Sequence, residues 1–111
     1  MNFLAEQISC YVEDDVRVVS FAVGKAVDPD TYIILSKTEF EEDDDNFGVY
    51  IESSFGITGY DLVRLKNFSN STVAFEVRTA ISHPYKDLII HLPEDSPEIL
   101  SSFLTKIFES K

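Results

Sequence analysis

TYIILSKTEFEEDDDNFGVYIE, residues 31–52, sets two apolar runs, Tyr32-Ile33-Ile34-Leu35 and Val49-Tyr50-Ile51, on either side of an acidic segment. Both runs are short, rich in β-branched and aromatic residues and bounded by polar ones, which predicts a pair of core strands. Six of the seven residues from Glu39 to Asp45 are acidic. Their mutual repulsion keeps them out of any core and favours water or a positively charged surface. A calcium loop starting at Asp43 would place Asp45 third and Gly48 sixth. Its fifth position would then be Phe47 and its twelfth Ser54, where an oxygen ligand and a bidentate Glu are required, so the segment does not read as a metal site.

Upstream, Ile8 to Val12 and the β-branched run Val16 to Val23 read as a hairpin closed at Glu13-Asp14-Asp15, and Asp28-Pro29-Asp30 turns the chain into the Tyr32 strand. Downstream, Ser53 to Gly59 reads as a loop. Tyr60 to Lys66 and Thr72 to Arg78 then form strands joined by the polar turn Asn67 to Ser71. In the second of these Val73, Phe75 and Val77 share one face, and Ala74, Glu76 and Arg78 the other, as a half-buried antiparallel strand requires. Leu88 to Leu92 adds a short strand. Ile99, Leu100, Phe103, Leu104, Ile107 and Phe108 then recur at the spacing of an amphipathic helix, with Asp95-Ser96-Pro97-Glu98 expected to cap its start. The expected fold is an α+β single domain over residues 1–111: a mainly antiparallel β-sheet of about six or seven strands with one C-terminal amphipathic helix packed on it.

A chain of 111 residues, 44% hydrophobic, is long enough to close one core without staples. Nine Lys and Arg against twenty Asp and Glu give a net charge of −11, which repels nucleic acid and anionic membranes and speeds encounter with basic partners. Cys10 is the only cysteine, so no disulfide framework or Cys-based zinc site is expected. The N-terminal residues lack the basic and apolar regions of a signal peptide, and no apolar run is long enough to span a bilayer, so a cytoplasmic location is expected.

No catalytic, metal or cofactor motif emerges. His83 precedes Pro84 in a loop and His91 lies within a strand, the usual setting of a structural histidine. A phosphate loop is absent, and Gly56 with Gly59 is too sparse for a dinucleotide fingerprint. The informative residues are carboxylates near aromatics: Glu39, Phe40, Glu41, Glu42, Asp43, Asp44 and Asp45 in the acidic segment, then Tyr50, Glu52, Phe55 and Tyr60 beyond it. Charge to speed encounter and ring area to hold a complex make these candidate partner-binding residues.

The order Tyr32-Ile33-Ile34-Leu35-Ser36-Lys37, acidic segment, Gly48-Val49-Tyr50-Ile51-Glu52, glycine-containing loop to Gly59-Tyr60, strand pair and closing helix to Lys106-Ile107-Phe108 resembles the immunity protein 10 family. The resemblance spans Phe21 to Phe108 and implies a bacterial immunity protein that binds and neutralises a cognate polymorphic toxin, with no turnover and no cofactor. The acidity of Glu41 to Asp45 suits a toxin with a basic, nuclease-like cleft. Two other readings of the residues stand beside it: a scaffold module that self-associates through its sheet as a homo-oligomer, and a small enzyme or ligand binder with a polar pocket.

Overall fold

The computed structural model describes residues 1–24, 30–38 and 48–108. Its strands, in chain order, are β1 (Asn2–Leu4), β2 (Gln7–Glu13), β3 (Val16–Ala22), β4 (Tyr32–Thr38), β5 (Tyr50–Ser53), β6 (Thr58–Tyr60), β7 (Val63–Phe68), β8 (Thr72–Val77) and β9 (Lys86–His91), followed by the helix α1 (Leu100–Ile107). The strands do not join one sheet. They form a five-stranded meander, β2-β3-β4-β5-β6, and a four-stranded sheet ordered β1-β9-β8-β7. Every pairing is antiparallel except β1 with β9.

This corrects the expectation of one sheet of six or seven strands with a helix laid on it. Two of the unexpected strands, β1 and β6, are three residues long, too short to show a period of two. The Tyr60 to Lys66 run breaks at Asp61-Leu62, where the chain changes sheets. Asp61 N–H still donates to Val49 O at 3.3 Å beside β5, while Leu62 O already accepts from Arg78 N–H at 3.0 Å beside β8. A matching corner lies at the buried Ala5, whose N–H donates to His91 O at 2.9 Å, one residue before Glu6 N–H donates to Ala22 O at 2.8 Å. Continuous chain therefore joins the two sheets along both edges. Gly59 suits its place at the β6 corner: its φ is +144°, and a Cβ there would sit 3.1 Å from Leu62 Cδ1.

Alternate residues of the two sheets face one another across a common core. Val19 and Phe21 of β3, Ile33 and Leu35 of β4 and Ile51 of β5 meet Val73 and Phe75 of β8 and Leu88 and Ile90 of β9, all fully buried. Phe21 and Phe75 make an edge-on ring contact at 6.2 Å between the sheets. Helix α1 lies against β3 and β4 and sends Leu100, Leu104 and Ile107 into this core, while Phe108 just beyond it reaches Phe75 at 5.7 Å between ring centres. Its apolar face agrees with the sequence pattern except at Ile99, which precedes the helix and is 50% exposed, and the expected cap does not form. Ser96 Oγ donates back to Pro93 O at 2.6 Å, Leu100 N–H closes a turn to Pro97 O at 3.1 Å, and Ile99 occupies the N-cap with no side-chain bond. Among the described residues no helix is long and apolar enough to cross a membrane.

Candidate protein-binding surface

Directly paired residues in antiparallel strands share a face, so the register of the five-stranded sheet fixes what it presents to solvent. One row runs Tyr11-Val18-Ser36-Tyr50-Tyr60 across all five strands, and the next runs Ser9-Ser20-Ile34-Glu52-Thr58. Tyr32, paired with Ala22, belongs to the same face. The rows between, such as Cys10-Val19-Leu35-Ile51, point into the core. Four of the chain's five tyrosines thus lie on one outer face. Tyr11 and Tyr60 are 45% and 47% exposed, and Tyr32 and Tyr50 are half-buried.

Within this face the Tyr50 and Tyr60 rings meet edge-on at 5.1 Å, and Tyr32 Oη donates to Glu52 Oε2 at 3.4 Å. The only cations in strands β2 to β6 are Arg17 and Lys37. They sit opposite each other in the β3–β4 register on the other, core-directed face, where the Arg17 guanidinium stands 4.8 Å over the Phe103 ring. The tyrosine face therefore carries a half-buried carboxylate and, among the described residues of its strands, no cation.

The outer face of the other sheet is different in kind. Arg64 Nε donates to Glu76 at 2.8 Å, and its guanidinium lies 3.9 Å over the Tyr85 ring, which Arg78 approaches from 4.4 Å. Lys66 pairs with Asp87 at 3.2 Å. Arg78 also donates to the backbone oxygens of Asp61 and Ile81 and to the Asp61 carboxylate. Charges here satisfy one another within the molecule, so this face has less to offer a charged partner.

Of the residues singled out in the sequence, Tyr50, Glu52 and Tyr60 come together on the tyrosine face. Phe55 does not join them. It sits in the turn after β5, packs against the core and lines, with Ile57, Val77 and His83, a hollow of about 520 Å³ between the sheets. Glu39, Phe40, Glu41, Glu42, Asp43, Asp44 and Asp45 lie outside the described residues; the segment that holds them joins Thr38, at the end of β4, to Gly48, just before β5. Tyr11 and Tyr32 escaped the sequence reading because nothing in it gave the register that brings distant strands side by side.

The remaining candidates serve structure or stand apart. His83 Nδ1 lies 2.7 Å from Thr79 Oγ1, and His91 is paired with Thr72 and Leu4 on the salt-bridged sheet. Cys10 faces the core, and burial pushes its thiol pKa above the ordinary 9.0, which leaves it a poor nucleophile. Among the described residues no group of three or more His, Cys, Asp or Glu is placed to hold a metal ion. No family model matches the chain, and no curated protein matches it.

Proposed function

We propose that this protein is a toxin-neutralising immunity protein, of the kind its sequence resembles, which acts in the cytoplasm by binding a basic protein stoichiometrically through the outer face of β2 to β6 and the acidic segment attached to it. The observation that carries this reading is the tyrosine face itself: a broad surface with half-exposed rings, the carboxylates Glu13 and Glu52 and no described cation in its strands, on a chain of net charge −11. Tyrosine supplies large contact area at small cost in side-chain entropy, and aromatic residues are enriched where interfaces are strongest. The charge acts at longer range. Complementary fields raise association to about 10⁸–10⁹ M⁻¹s⁻¹ at low salt, on the order of a hundredfold or more above a neutral pair. Fast capture suits an inhibitor whose target kills its host.

Co-purification of the tagged protein from its native host at low salt tests this directly. The expected result is one basic, toxin-like protein in stoichiometric amount, whose association slows and loses salt dependence when Glu41, Glu42, Asp43, Asp44 and Asp45 are replaced by their amides. Recovery of the protein alone, from cells shown to make a neighbouring toxin, overturns the reading. The scaffold alternative draws on one observation: β2 ends its sheet with Tyr11 and Val12 45% and 46% exposed. A concentration-dependent dimer in sedimentation that survives the amide replacements would favour it instead.

A further inference from the structure

On the salt-bridged sheet the molecule builds a complete arginine site from its own residues: the Arg64 guanidinium donates to the Glu76 carboxylate at 2.8 Å and stacks 3.9 Å over Tyr85. On the tyrosine face stands the acceptor half of the same arrangement, with no cation among the described residues of its strands. Glu52 sits half-buried on β5, two residues from Tyr50 on the same face, with the Tyr50 and Tyr60 rings in contact at 5.1 Å. The Tyr32 hydroxyl donates to Glu52 Oε2 at 3.4 Å. A carboxylate can accept several hydrogen bonds, so this single long one leaves capacity for a bidentate donor.

We propose that Glu52, flanked by Tyr32, Tyr50 and Tyr60, receives an arginine side chain of the protein's partner; this deepens, and rests on, the reading of that partner as a basic protein. The guanidinium pairs with the Glu52 carboxylate while its plane lies on a tyrosine ring. Arginine is favoured over lysine because a flat, weakly hydrated guanidinium can do both at once, whereas an ammonium is a compact, strongly hydrated point charge. Half-burial strengthens the pairing relative to an exposed rim contact, because less water competes for the carboxylate.

The test is a residue-resolved amide NMR titration of the full chain with N-acetyl-arginine amide and, separately, with N-acetyl-lysine amide. Saturable shifts are expected in β4, β5 and β6, tighter for arginine than for lysine. Glu52→Gln, its spectrum otherwise retaining wild-type dispersion, should weaken arginine binding by about tenfold, since the substitution removes the charge from the hydrogen bond. Tyr60→Ala should weaken it by a few-fold through the lost ring. Replacing Glu41 to Asp45 by amides should leave the shifts at β5 in place. Shifts spread over the acidic segment alone, equal or tighter binding of the lysine probe, or unchanged binding by Glu52→Gln would each overturn the proposal. A recovered toxin that binds Glu52→Gln as tightly as the wild type overturns the arginine site and leaves the immunity reading standing. Arginine binding at Glu52 in a protein with no toxin partner supports the site and overturns the immunity reading.

Discussion

At Ser53 a single hydroxyl holds the end of the tyrosine sheet. Its Oγ donates to Ile57 O at 2.9 Å and accepts from Ile57 N–H at 3.0 Å, in a buried setting that fixes the turn between β5 and β6. Ser53→Ala would strand both backbone groups, so a loss of about 1–3 kcal/mol is expected in urea unfolding. Loss of arginine-probe binding at Glu52 should accompany it if the turn relaxes. The hairpin between β2 and β3 turns on Asp14 and Asp15, with φ of 51° and 64°. A two-residue loop with both central residues left-handed is a type I′ turn, for which glycine is the better second residue. Asp15→Gly should therefore stabilise the protein by up to about 1 kcal/mol. Asp15→Val should destabilise it, with thermal unfolding as the measurement. The acidic turn was legible in the sequence because only local backbone chemistry decides it.

At the scale of the element, α1 is an eight-residue helix that lacks a side-chain cap and has no acidic residue in its first turn. An isolated helix of this length is unstable in water, so its order comes from the core it completes. Leu104 is 1% exposed and lies between the neighbouring core residues Leu100 and Ile107 on the buried face. Leu104→Ala should cost about 2–5 kcal/mol, since the packed core around it relaxes only partly onto the void. A midpoint shift in denaturant with an unchanged slope would confirm a simple packing loss. The apolar spacing of this helix was readable from the sequence, because its period is a property of successive residues. Its start was not, because Ser96 binds Pro93 O and the turn at Pro97 delays the first helical residue.

For the whole molecule, the extents of 36 × 29 × 27 Å set the charge problem. At about 0.01 M salt the Debye length is roughly 30 Å, comparable with the molecule, and at physiological salt it falls to about 8 Å. Net charge of −11 in that volume repels itself across the fold at low salt. The thermal midpoint should therefore rise as sodium chloride is raised from about 0.01 to 0.15 M, while association with a basic partner slows over the same range. Scanning calorimetry and stopped-flow association on one preparation would measure the two opposed trends. A flat thermal midpoint would mean that self-repulsion of the surplus charge contributes little to the stability of the fold.

What the sequence determined by itself were properties of neighbours along the chain: the alternation in β8, the helical period of α1, the acidic turn at Asp14-Asp15, the charge, and the carboxylates and rings clustered from Glu39 to Tyr60. Tertiary structure alone decided the division into two sheets, because the corners at Ala5 and at Asp61-Leu62 are made by hydrogen bonds to strands far away in the chain. It also decided the membership of the surface. Tyr11, Tyr32, Tyr50 and Tyr60 share a face only through inter-strand register, and the turn after β5 lays Phe55 against the core while leaving Glu52 on the outer face. Register is set by which apolar faces fit together across the core, a non-local choice that no window of sequence contains.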